Sequence, residues 1–154
     1  MKKFLGVLLA LFVAIAAFVP AASAATTTPL LSKTGVLSVP EASSAEQVVG
    51  FNYIVLGRDD SCMTYYAANP PLIGMSKPVE IPCPLGIVVI DNYNIDYKQA
   101  IALFEKTNCG GAFTGISLSQ PLVPGIINPF WTIDSVTGQA FSVNADTGQS
   151  TCKS

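Results

Sequence analysis

Four cysteines behind an export signal constrain this chain more than any other feature. Cys62, Cys83, Cys109 and Cys152 all follow an N-terminal segment in which Met1, Lys2 and Lys3 give a basic start, residues 4–19 are apolar, and Pro20 interrupts the run before the small residues Ala22 and Ala24. Charge, apolar stretch and small residues come in the order that a signal peptidase reads. The run is shorter than the roughly 20 residues of a permanent membrane-spanning helix, and no charged stop-transfer cluster follows Ala25. Cleavage is expected after Ala24, which makes residues 1–24 a signal peptide and residues 25–154 a single secreted or periplasmic domain without stable membrane insertion. An even number of cysteines in an oxidising compartment reads as two disulfides. Four cysteines allow three pairings, and sequence alone does not choose among them. Cys62 with Cys83 and Cys109 with Cys152 is favoured, because each bridge would staple one half of the chain and the second would tie the C-terminal tail back to a helix end.

Charge then removes whole classes of partner. Without residues 1–24 the chain keeps six basic against ten acidic side chains, a net charge of −4. Lys33, Arg58, Lys77, Lys98, Lys106 and Lys153 are scattered singly, whereas nucleic-acid binding needs several cations on one face to release counterions. The same sparseness argues against tight adhesion to anionic lipid. With 50% hydrophobic and 12% charged residues, the chain has the apolar content of a packed domain rather than of a disordered one.

Local patterns give an α+β fold: an antiparallel sheet with one main helix packed on it, stapled by the bridges. Residues 33–39 form a short strand that Pro40 ends, and Ser43-Ser44-Ala45-Glu46 reads as a capping box opening one or two helical turns through Val49. Residues 51–56 and 62–67 are β-rich and flank turn chemistry at residues 57–61, so they form a hairpin. Asn69-Pro70-Pro71 stops its second strand. A third strand is expected at residues 86–91, where Ile87, Val88, Val89 and Ile90 form a continuous apolar run suited to the centre of a sheet. The clearest helix covers residues 96–107, with Asp96 as its cap, Tyr97, Ile101 and Phe104 on one face, and Gly110-Gly111 as its stop. Three β-like segments follow, at residues 113–118, 130–136 and 139–144, with Pro121, Pro124 and Pro129 confined to a connection between strands.

No catalytic constellation emerges. The chain contains no histidine, so serine- or cysteine-based acyl transfer lacks its usual base, and a zinc site lacks both histidine and a CxxC pair. Asp59 and Asp60 are adjacent carboxylates, but neighbours in a turn point apart, which disfavours a carboxylate hydrolase. Residues 91–96 are rich in oxygen ligands. Tyr93 and Ile95 nevertheless occupy alternate positions that a calcium loop needs, and Asp96 as a helix cap explains the segment. Gly110-Gly111 follows a helix, where a phosphate loop would precede one. No catalytic residue, metal or cofactor is expected. Aromatic pairs remain: Tyr65-Tyr66 and Phe130-Trp131 put neighbours on opposite faces of a strand, and their outward members are candidate anchors for a protein partner.

Residues 96–149 resemble the PepSY domain, a small secreted module found in protease propeptides and in stand-alone envelope proteins. The likeness rests on Tyr97-Lys98-Gln99-Ala100-Ile101-Ala102 at the start of the helix, on the aromatic strand start Phe130-Trp131-Thr132-Ile133, and on the closing strand and turn Phe141-Ser142-Val143-Asn144-Ala145-Asp146-Thr147-Gly148. Asn144 stands where that family commonly has Asp. The resemblance implies a helix on a curved antiparallel sheet and a role in binding or inhibiting a protein such as a secreted protease, with no catalytic residues to carry over. The expected function is therefore an exported, non-catalytic binding module. A structural subunit of a surface layer or fibre is the second reading, and a carboxylate hydrolase the third.

Overall fold

The computed structural model describes residues 28–153; the expected signal peptide and its cleavage after Ala24 lie outside them. The β-rich runs form β1 (Leu30–Leu37), β2 (Val48–Leu56), β3 (Cys62–Ala68), β4 (Val79–Ile81), β5 (Ile87–Val88), β6 (Phe113–Pro121), β7 (Phe130–Ser135), β8 (Ala140–Asn144) and β9 (Ser150–Lys153), with α1 (Tyr97–Glu105) between β5 and β6. All nine strands join one antiparallel sheet in the order β4-β3-β2-β1-β6-β7-β8-β9, and β5 adds to the end of β6. The chain thus makes two meanders that run outward from the β1·β6 pair, leaving β4 and β9 at the edges.

Strand alternation sorts the side chains into two faces. Phe51 of β2, Ile116 and Leu118 of β6, Trp131 and Ile133 of β7, and Phe141 and Val143 of β8 are buried on one face. Ala100, Ile101 and Phe104 of α1 pack against that face, and the Phe104 ring meets Phe113 and Phe141 edge-on at 6.0 and 5.6 Å. No element of the described residues packs on the other face in the same way. The fold is therefore α+β but mostly sheet, with the helix covering one side.

The helix forms where its cap is strongest. The Asp96 carboxylate accepts from the Gln99 N–H at 2.8 Å, while Gln99 Oε1 accepts from the Asp96 N–H at 2.8 Å, satisfying two otherwise orphaned donors. The segment after Pro40 differs from expectation. It makes a single 3-10 turn, Ala45–Gln47, in which Gln47 Oε1 rather than Glu46 receives the N–H groups of Ser43 and Ser44. Val48 is then drawn into β2, because the apolar residues from Val48 onward bury better as strand than as a short helix. The Ile87-to-Ile90 run also departs from its reading. Only Ile87 and Val88 pair, against Pro121 and Gln120 at the end of β6, so β5 lies at a flank rather than the sheet centre. Burial of Ile90, whose N–H bonds the Leu30 carbonyl, accounts for much of that apolar run.

Both bridges form in the favoured pairing, and each secures one edge. Cys62 at the start of β3 joins Cys83 just beyond edge strand β4, and Cys109 after α1 joins Cys152 on edge strand β9. Exposed edges invite pairing with other chains. Here β4 and β9 are short and each is tied down close to its end.

Candidate functional site

The four aromatic candidates separate by face as alternation requires. Trp131 is fully buried, donating its indole N–H to the Ile95 carbonyl at 2.7 Å, and so is a core residue with no surface to offer a partner. Tyr65 lies on the same face as the helix, where its ring stacks on Tyr53 at 5.1 Å with 9° between planes. Tyr66 and Phe130 point to the open face and are half-buried there. The hydroxyl of Tyr66 donates to the Val49 carbonyl at 3.3 Å, and a Cβ on Gly50 would come within 2.6 Å of its ring. The edge of the ring therefore passes close over Gly50, an approach that a side chain at that position would block.

The sequence reading missed the most unusual residue on the covered face. Lys33 of β1 is only 7% exposed. Its Nζ donates to the Tyr93 hydroxyl at 2.6 Å and stands 4.8–4.9 Å from the ring centroids of Phe51, Tyr93 and Trp131. Burial lowers its pKa from 10.5 to about 8, against a smaller opposing pull from Asp96. Three ring faces partly replace the lost water through cation–π attraction. The signal was partial: Leu31, Lys33, Gly35 and Leu37 alternate in sequence, which puts the lysine in an apolar stripe, but bulges between Leu30 and Ser32 and between Val36 and Leu37 shift the stripe, so that Leu30 and Leu37 pack on the core. A lone lysine is ordinarily solvated, so composition does not reveal it.

The carboxylate candidates remain apart. Asp59 and Asp60 are exposed in the β2–β3 turn at φ 60° and 57°, a left-handed conformation that Asp tolerates better than most residues. In the 91–96 segment the oxygens diverge: Asp96 caps α1, and Asn94 donates from its side chain to the Asp146 carbonyl at 3.2 Å. Among the described residues no three His, Cys, Asp or Glu side chains converge to hold a metal ion. A cavity of about 330 Å³ brings Asp91 and Tyr93 to one wall beside Leu30 and Ile90, without a serine, cysteine or second carboxylate in its lining. Gly110, at φ 125°, packs where any Cβ would overlap the Ser135 hydroxyl, so it serves the close approach of the chain after α1 to the turn between β7 and β8.

What the surface does present is apolar. Leu85, Leu122, Val123 and Ile127 are 97%, 68%, 49% and 82% exposed. They lie on two loops at one end of the sheet, joined where the Leu122 N–H meets the Gly86 carbonyl at 2.7 Å. The Cys62–Cys83 bridge anchors the first of these loops two residues before Leu85. Among the described residues no helix is long and apolar enough to cross a membrane. No protein family, curated protein or solved structure matches the chain.

Proposed function

We propose that this protein is an exported, non-catalytic binding module that docks a protein partner through the paired loops carrying Leu85, Leu122, Val123 and Ile127. The observation that carries the reading is the exposure of these four large apolar side chains on loops tied to one another and to a disulfide. Apolar groups held rigidly in water are costly to leave uncovered and lose little entropy when covered. The two bridges fit an oxidising, extracytoplasmic setting. The capped helix followed by β6, β7 and β8 is compatible with the PepSY likeness, under which the partner would be a secreted or envelope protein such as a protease.

The test is capture from the envelope fraction and medium of the producing cells with wild-type protein and with a Leu122→Asp/Ile127→Asp variant. A specific partner held by the wild type and lost by the variant is expected. Equal recovery by both, or none by either, contradicts the reading.

A further inference from the structure

We propose that the open face of the sheet binds an extended, uncharged polysaccharide. The proposal goes beyond the protein-docking reading and does not depend on it. Antiparallel register aligns Asn52, Thr34, Ser117, Thr132, Ser142 and Thr151 in one straight row, each directly opposite the next, across six adjacent strands. At about 4.8 Å per strand the row runs for about 24 Å. Tyr66 continues it on β3, opposite Asn52.

Three features of the row point to a neutral glycan. The first is charge. No position of this row is charged. The neighbouring charges on that face, Asp134 and Lys153, stand two positions further along their strands. A polyanion or polycation would find no counter-charge in the row, whereas an uncharged chain needs none and can exchange its water hydrogen bonds for those of the row. The second is hydrogen-bonding capacity. No side-chain hydrogen bond found among the described residues engages Asn52, Thr34, Ser117, Thr132, Ser142 or Thr151; the nearest join Tyr66 to the Val49 carbonyl and Thr114 to the Asp134 carbonyl. Hydroxyl and amide groups in the row therefore face outward with both donors and acceptors to offer, at a spacing close to the ring repeat of an extended glycan. The third is the half-buried ring of Tyr66, held against Gly50, which offers the apolar face of a sugar ring an aromatic contact at one end of the row. Phe130, next but one to Thr132 on β7, supplies a second aromatic beside it.

Affinity electrophoresis of the full mature protein through soluble uncharged glycans, with sedimentation on cellulose and chitin, tests the proposal; heparin is the charged control. Retention by at least one uncharged glycan, insensitive to salt, is expected, with none by heparin. A Thr34→Val/Ser117→Ala/Thr132→Val variant keeps the strand shape but removes three hydroxyls, and is expected to bind about ten-fold more weakly with an unchanged melting temperature. Tyr66→Ala is expected to weaken binding similarly, and the hydroxyl variant keeps the test valid if uncovering Gly50 destabilises the sheet. Leu122→Asp/Ile127→Asp is expected to bind glycan like the wild type, so failure of the loop reading and failure of this one are separable. No retention by any uncharged glycan, equal retention by the row variants, or a change of oligomeric state in those variants, which would mark the face as a contact between copies, overturns the proposal.

Discussion

Among the described residues Lys33 is the charged side chain that the fold takes out of water, and its titration has a measurable consequence. Its folded-state pKa of about 8 lies below the unfolded 10.5, so between these values the unfolded chain binds the extra proton and stability rises with pH. Below about pH 8 the burial cost is present in full. Tyr53, Tyr93 and Tyr97 act in the opposite sense: burial raises their pKa values, so above about pH 10 the unfolded tyrosines ionise first and stability falls. The unfolding free energy from denaturant titrations is therefore expected to climb from pH 8 to about 10, by an amount on the order of a few kcal/mol, and then to decline. Lys33→Met is expected to abolish the climb while leaving stability at pH 7 equal or higher, since an apolar residue of similar length replaces a buried cation. A climb that persists unchanged in the variant would assign it to another group. Tyr65, Tyr66, Phe130 and Trp131 show what alternation alone conveys: it separates neighbours by face, but not which face the helix covers. That depends on contacts such as Trp131 with Ile95, more than 30 residues apart.

At the scale of elements, the two bridges have separable duties. In the chain-entropy picture, loops closed at separations of 21 and 43 residues are worth about 3 and about 4 kcal/mol. Thermal unfolding of Cys62→Ala/Cys83→Ala and Cys109→Ala/Cys152→Ala is expected to show losses in that order. Only the first pair, which anchors the chain leading to Leu85, is expected to weaken partner capture. Equal weakening by both pairs, at temperatures where both remain folded, would mean that the bridges do not localise the docking surface. The elements legible in sequence were those with strong local signals. The helix from Asp96 has a reciprocal cap and an apolar stripe, and the hairpin through residues 57–61 has turn residues that accept left-handed geometry. The capped turn at Ser44 and the run at Ile87 were read too generously, because propensity states what a segment can form and the competition for burial decides what it does form. Edge strands β4 and β9 carry little pattern of their own and exist because a neighbouring strand and a nearby bridge hold them.

For the whole molecule, the sheet is the scaffold, the helix seals one face, and function is argued for the surfaces that remain open. Under the proposed function, a chain with a net charge of −4 after residue 24, a buried lysine and dispersed carboxylates holds a partner rather than transforming one. The even cysteine count conveyed the bridging that the two disulfides show. The loop patch and the polar row were hidden, because each brings together residues far apart in sequence, Gly86 beside Leu122 and Thr34 beside Ser117. The most direct measurement is the intact mass of a partner captured by the wild-type protein, recorded before and after prolonged incubation with it. The account predicts an unchanged partner mass in a stoichiometric complex. A cleaved or otherwise altered partner, released as product, would contradict it.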